Sequence, residues 1–390
     1  MQRDRKDIEG SLNKKIPQDI QWWAARKLTM LHFAGLFNDF RIPQKSTLHH
    51  LNLCKPHIPV FRNAHVFGRY SHTKTFLQTM NINSAVYQTD QIRCYDGRRR
   101  EIDCAGTGQD GDIRAGHPWP KPRFEEKNAV VKDILSGLMW TKNATPAEFP
   151  QTWGEAFEYV NRMNASCSHG YDDWRLPDRR ELFSLISHSR FSPALPAAHP
   201  FTNVFAGYYW TSSPCAQWPK QAWYIHLGGG RIFKGMKQGS YLLWPVRRMK
   251  SVNTVAPFRL KTGERFETLD HVATDRSTGL MWLRSAMGPK GIVDWPTALS
   301  AIHLMNVRSA YGYDDWRLPN IRELESLVAL DQHSPALPES HPFQNVGQGY
   351  WSSTTSVYDT SYAWVLYSDD GNVGVGFKKK ADFGVWPVRS

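Results

Sequence analysis

At 390 residues and 41% hydrophobic content, the chain has enough apolar surface for at least one sizeable core, and its length suits two or three domains. No run of about eighteen apolar residues occurs, which excludes a transmembrane helix. A formal charge of +12 points to polyanionic partners: nucleic acid, acidic or sulfated glycans, or an anionic surface.

Much of that charge sits at the start of the chain. Residues 1–90 carry 13 Lys and Arg against 6 Asp and Glu, which is +7 of the +12. Residues 1–88 show no sustained periodicity and are expected to be disordered, or a non-native extension. Within them LTMLHFAGLF is too short to span a bilayer and lacks a small-residue cleavage site, so no signal peptide is read there. Residues 89–122 form a lead-in. Cys94 and Cys104 bracket a loop with a central Gly97 that can close as a local disulfide in an oxidising compartment.

From residue 123 the chain repeats itself at an offset of 142. SGLMW at 136–140 returns as TGLMW at 278–282, GYDDWRLPDRREL at 170–182 as GYDDWRLPNIREL at 312–324, and WPVR at 244–247 as WPVR at 386–389. The boundaries are a first repeat domain at 123–248, a linker at 249–264 and a second repeat domain at 265–390. Cys167 and Cys215 occur in the first copy, where the second has Ser309 and Ser356, and their joint loss suggests a second bridge between them. Cys54 is left over.

Each copy starts with a short GLMW strand. Trp153, Ala156, Phe157, Val160 and Met163 then recur at helical spacing, matched by Trp295, Ala298, Leu299, Ile302 and Met305. Asp178 with Glu181, and Asn320 with Glu323, stand three apart after a proline as N-cap pairs of a second helix. The repeated phrase is therefore chiefly scaffold, with Asp173, Trp174 and Arg175 in the first copy and Asp315, Trp316 and Arg317 in the second locking a loop ahead of a capped helix. Two hairpins, AWYIHLGGGRIFKGM and AWVLYSDDGNVGVGF, precede the WPVR strand. The predicted class is α+β: two tandem domains, each with two helices packed on a strand- and loop-rich half.

CYDGRRREIDCAGTGQDGD, TGLMW, GYDDWRLPNIREL, YWSST and WPVR together resemble the bacterial Lcl C-terminal domain family, over about residues 89–389. A looser resemblance is to the C-type-lectin-like fold and the formylglycine-generating enzymes. The family resemblance implies secreted or surface-exposed bacterial proteins, placed outside the cell or in its envelope, and adhesion through sulfated glycosaminoglycans. The second copy lacks the cysteine pair that the enzymes need, so a non-catalytic binding protein is expected, with an enzyme of that type or a protein-interaction module as the alternatives.

The residues that differ between copies in the strand-rich half are the candidate ligand contacts: Trp218, Lys220, Arg231, Lys234 and Lys237 in the first, Tyr358, Lys378, Lys379 and Lys380 in the second. Lysines beside an exposed aromatic suit sulfate or carboxylate on a glycan, by charge plus apolar contact. A surface protein is the other partner considered. No nucleic-acid-binding module, nucleophile elbow or phosphate-binding loop is present in the sequence. Calcium at Asp172–Asp173 and Asp314–Asp315 is the weaker reading, because no full ligand series accompanies them, and no cofactor is expected. His199 and His341 each precede a proline and are read as turn residues.

Overall fold

The computed structural model describes residues 86–249, 264–288 and 290–390. Expectations for the N-terminal extension and for the linker therefore fall largely outside the described residues. The lead-in holds β1 (Cys94–Tyr95) and β2 (Glu101–Ile102), an antiparallel pair joined by the Cys94–Cys104 disulfide, and a single turn of helix, α1 (Asp110–Ile113).

The first repeat opens with β3 (Phe124–Lys127), β4 (Val130–Asp133) and β5 (Leu138–Thr141), then α2 (Trp153–Ala165) and α3 (Arg179–Ser184). A three-stranded meander follows: β6 (Tyr208–Pro214), β7 (Gln221–His226) and β8 (Arg231–Met236). The last strand, β9 (Val246–Arg248), returns to pair with β5, opposing Val246 to Trp140. Each repeat is thus closed by its own ends. Trp140 and Trp244 meet edge to face at 5.4 Å in the buried core.

The second repeat runs the same course through β10 (Phe266–Leu269), β11 (Val272–Asp275), β12 (Leu280–Leu283), α4 (Trp295–Val307), α5 (Ile321–Ser326), β13 (Gly349–Thr355), β14 (Tyr362–Tyr367), β15 (Val373–Phe377) and β16 (Val388–Arg389). Trp282 opposes Val388 across β12 and β16, and Trp282 meets Trp386 at 5.5 Å.

Both long helices start where the sequence places them. Thr152 caps α2 in a full capping box with Glu155, and Asp294 caps α4, which has proline in its first turn. Ala156, Val160 and Met163 form the buried stripe of α2, and Ala298, Ile302 and Met305 that of α4.

The architecture differs from the predicted two C-type-lectin-like α+β domains. Strands dominate, in four sheets among the described residues, and the second helix of each repeat is only six residues long. The two meanders do not stand apart. β8 pairs antiparallel with β15, Ile232 opposite Val373, to make one six-stranded sheet in the order β13-β14-β15-β8-β7-β6. The physical reason is an edge: each meander ends on a strand with unpaired backbone groups, and each edge satisfies the other. One core cluster accordingly contains Trp140, Trp244, Ile232, Val373, Trp282 and Trp386, from both repeats.

At this junction the hairpin turns require glycine. Gly230 and Gly371 both have positive φ, and a Cβ there would meet Ile186 at 2.6 Å and Val328 at 2.7 Å. The buried Arg179 guanidinium spans the same seam, donating to the Gly371 carbonyl at 2.5 Å and lying 4.3 Å over the Trp223 ring.

Candidate functional site

The repeated phrase is built as a lock. Trp174 donates its N–H to Asn164 Oδ1 (2.7 Å), accepts from Asn164 Nδ2 at its carbonyl (2.8 Å), and sends its indole N–H to the Ser168 carbonyl (2.9 Å). Trp316 repeats the arrangement with Asn306 and Ala310. Arg175 holds Glu181 through two bonds of 2.6 Å, and Arg317 holds Glu323 at 2.6 and 2.7 Å. Glu181 also completes the capping box with Asp178, and Glu323 the one with Asn320. Burial beside the Glu181 charge pushes the Asp178 carboxyl up, while the bond to Glu181 holds Arg175 above its ordinary value.

Asp173 pairs with Arg247 (2.5 and 3.1 Å) and Asp315 with Arg389 (2.6 and 2.9 Å), arginines of the closing strands. Both oxygens of each carboxylate are taken by a guanidinium, a poor setting for calcium. Among the described residues no group of three or more His, Cys, Asp or Glu stands at metal-binding distance. His199 and His341 stack on Phe201 and Phe343 with centroids 5.9 Å apart, and burial lowers the pKa of both.

The expected Cys167–Cys215 bridge does not exist. Cys215 is a buried free thiol, whereas Cys167 is engaged in a disulfide of its own. Co-occurrence in one copy was a pattern in the sequence and not a distance.

The lead-in, which precedes the first repeat, docks on the second. Gln91 exchanges two 2.8 Å bonds with the backbone of Thr355, and Asp110 accepts from Thr89 Oγ1 (2.7 Å) and Thr354 Oγ1 (2.6 Å). Asp110 is fully buried, and desolvation pushes its carboxyl up to about 6. Asn320 Nδ2 donates to the Ala115 carbonyl, and Arg99 pairs with Asp359 at 3.2 Å.

This docking corrects one expected ligand contact. Lys378 is not exposed. Its Nζ donates to Thr355 Oγ1 at 2.9 Å and the Tyr95 carbonyl at 3.4 Å and sits 4.0 Å over the Trp295 ring, and burial lowers its pKa to about 7. A run of three lysines suggests a solvated face. Only Lys379 and Lys380 are on one, with Lys380 paired to Asp382 at 3.1 Å.

Among the described residues, no lead-in segment lies on the same surface of the first repeat. Lys237 lies 4.3 Å over Trp153 as Lys378 lies over Trp295, and Trp153 N donates to the Lys237 carbonyl as Trp295 N does to that of Lys378. The Lys237 ammonium makes no hydrogen bond among the described residues. Its backbone N–H bonds the Lys220 carbonyl at 2.9 Å, so the two lysines are neighbours at one end of the β7–β8 hairpin. Trp218, 52% exposed, closes the turn at that end by accepting from Gln221 N. The structure therefore gathers Trp218, Lys220 and Lys237 with Trp153.

It does not gather the rest. Arg231 stands opposite His226 at the far end of the hairpin. Lys234 is tied to Asp370 of the second repeat and is mostly buried. Tyr358, 62% exposed, packs edge to face with the exposed Phe191 at 5.8 Å, on the other repeat's meander.

A model of the Lcl C-terminal domain matches residues 129–247 and again residues 271–389. No curated protein matches the chain.

Proposed function

The chain belongs to the Lcl C-terminal domain family, carrying the domain in tandem, and from that premise we propose a non-catalytic binding protein for acidic or sulfated glycans, working outside the cell or at its envelope. The observation that carries this reading is the cluster of Trp153, Trp218, Lys220 and Lys237 on the first repeat, on which no other segment lies among the described residues. An exposed indole offers an apolar face to a sugar ring, and two neighbouring ammonium groups offer charge to its sulfates or carboxylates. In the second repeat the equivalent lysine is spent on the lead-in. The described residues therefore present one such face rather than two, and avidity from paired sites has no part in the reading.

The Cys94–Cys104 disulfide supports an oxidising location. The test is binding of the full chain to sulfated, carboxylated and neutral glycans at two salt concentrations. Salt-sensitive binding confined to the acidic glycans is expected, and its loss in a Trp218→Ala variant that keeps the wild-type melting temperature locates it.

A further inference from the structure

Ser212, Ser213, Pro214 and Ala216 of the first repeat and Leu330 and Asp331 of the second line a cavity of about 610 Å³. Its counterpart across the repeat junction is filled. There Thr89, Asp90 and Gln91 run between His188–Ser189 and Thr354–Thr355, the backbone turning at Asp90, whose φ is 71°. The correspondence is residue by residue. Ser213 Oγ accepts from Arg179 N at 3.1 Å as Thr354 Oγ1 does from Ile321 N, and Ser212 N donates to the Pro177 carbonyl as Ser353 N does to that of Pro319. Leu330 stands at the place of His188, and Asp331 at that of Ser189.

The filled slot shows what an occupant must offer. His188 N–H donates to the Thr89 carbonyl at 3.0 Å. Two residues on, the Gln91 carboxamide donates to the carbonyls of His188 (3.3 Å) and Thr355 (2.8 Å) and accepts from Thr355 N–H (2.8 Å). Ser189 Oγ donates to the Asp90 carbonyl. In the open slot the Leu330 N–H donates to nothing among the described residues. Pro214 replaces Thr355 and has no N–H, so an occupant's carboxamide oxygen would find no donor there. Asp331 replaces Ser189, turning a donor into an anionic acceptor. Apart from the Leu330 N–H, the exchanges remove donors and leave acceptors.

From these substitutions we infer that the slot is a docking site for a short segment of a partner protein that follows the path of Thr89–Gln91. The partner carbonyl accepts from Leu330 N–H, and the side chain two residues on is Lys or Arg in place of glutamine. A donor-only cation satisfies the carbonyls of Leu330 and Pro214 together and sits near the Asp331 carboxylate.

The probes are two synthetic heptapeptides patterned on residues 87–93, Tyr-Gln-Thr-Ser-Lys-Ile-Arg and its counterpart with glutamine for lysine. Serine stands at the place of Asp90 because Asp331 would repel a carboxylate. Titrated into the full chain, the lysine peptide is expected to bind about tenfold more tightly than the glutamine peptide. Pro214→Thr restores the missing N–H and is expected to improve the glutamine peptide and narrow or reverse the difference. Asp331→Asn changes an exposed side chain, leaves folding intact, and weakens the lysine peptide selectively. No binding by either peptide, equal binding by both, or a preference that neither substitution moves would overturn the assignment.

Discussion

Arg180 and Arg322, 142 residues apart, each cap the turn that follows the helix carrying the other. Arg180 Nη2 donates to the carbonyl of Val328, just past α5, and Arg322 Nη2 donates at 2.7 Å to that of Ile186, just past α3. Terminal carbonyls of a short helix have no partner within it, and a guanidinium from the opposing repeat supplies one with charge assistance. The exchange couples the repeats at the seam where their meanders join. The two differ in setting, since Arg322 is buried and Arg180 half exposed.

Removing each arginine is expected to have unequal effects. Arg322→Ala strands buried carbonyls and is predicted to cost about 2–3 kcal/mol, while Arg180→Ala costs about 1 kcal/mol or less. Urea denaturation of the full chain measures both. Equal costs would mean that the exchange is not governed by burial.

A core cluster that spans both repeats and one shared sheet predict cooperative unfolding. Tryptophan fluorescence and far-ultraviolet circular dichroism should report a single coincident transition in urea. Two separated transitions would contradict the fused six-stranded sheet.

Asp110 gives the docked lead-in a pH dependence of known sign. Its folded pKa, about 6, lies above the ordinary carboxylate value. The folded chain therefore holds an extra proton between roughly pH 4 and 6. That contribution is present below the unfolded value and lost as pH rises through 6. Asp110→Asn removes the buried charge while keeping an acceptor for Thr89 and Thr354. The variant should gain stability over the wild type as pH rises from 4 to 7, measured as the difference in unfolding free energy.

Lys378 acts at higher pH. Its folded pKa, about 7, lies well below that of a free lysine, because the ammonium is buried under Tyr95. Between about pH 7 and 10 the unfolded chain binds the additional proton, so the wild type gains stability as pH rises through this window. Lys378→Met is expected to flatten that rise. An unchanged slope would show that the ammonium remains in contact with water.

Much of this architecture was legible in the sequence. The tandem repeat, the capping boxes at Asp178 and Asn320 and the hairpins follow from spacing and residue chemistry. What escaped is non-local. The pairing of β8 with β15 is an edge meeting an edge, which no hydrophobic period announces, and it turned two expected α+β domains into a body organised by sheets. Asp173 finds Arg247 only because the chain closes on itself 74 residues later. Lys378 looked like its exposed neighbours because its cover comes from a lead-in that matches neither repeat. Trp218, Lys220, Lys237, Arg231 and Lys234 all differ between the copies, but a difference in sequence carries no position: the first three stand at one end of the β7–β8 hairpin, Arg231 at the other, and Lys234 against Asp370.

The most direct measurement compares two paired substitutions for binding of the full chain to a sulfated glycan at low and physiological salt. Lys220→Ala with Lys237→Ala should lower affinity by about tenfold or more and flatten the salt dependence, whereas Lys379→Ala with Lys380→Ala should change it by no more than about twofold. The same loss from both pairs, or from neither, would contradict a ligand face confined to the first repeat.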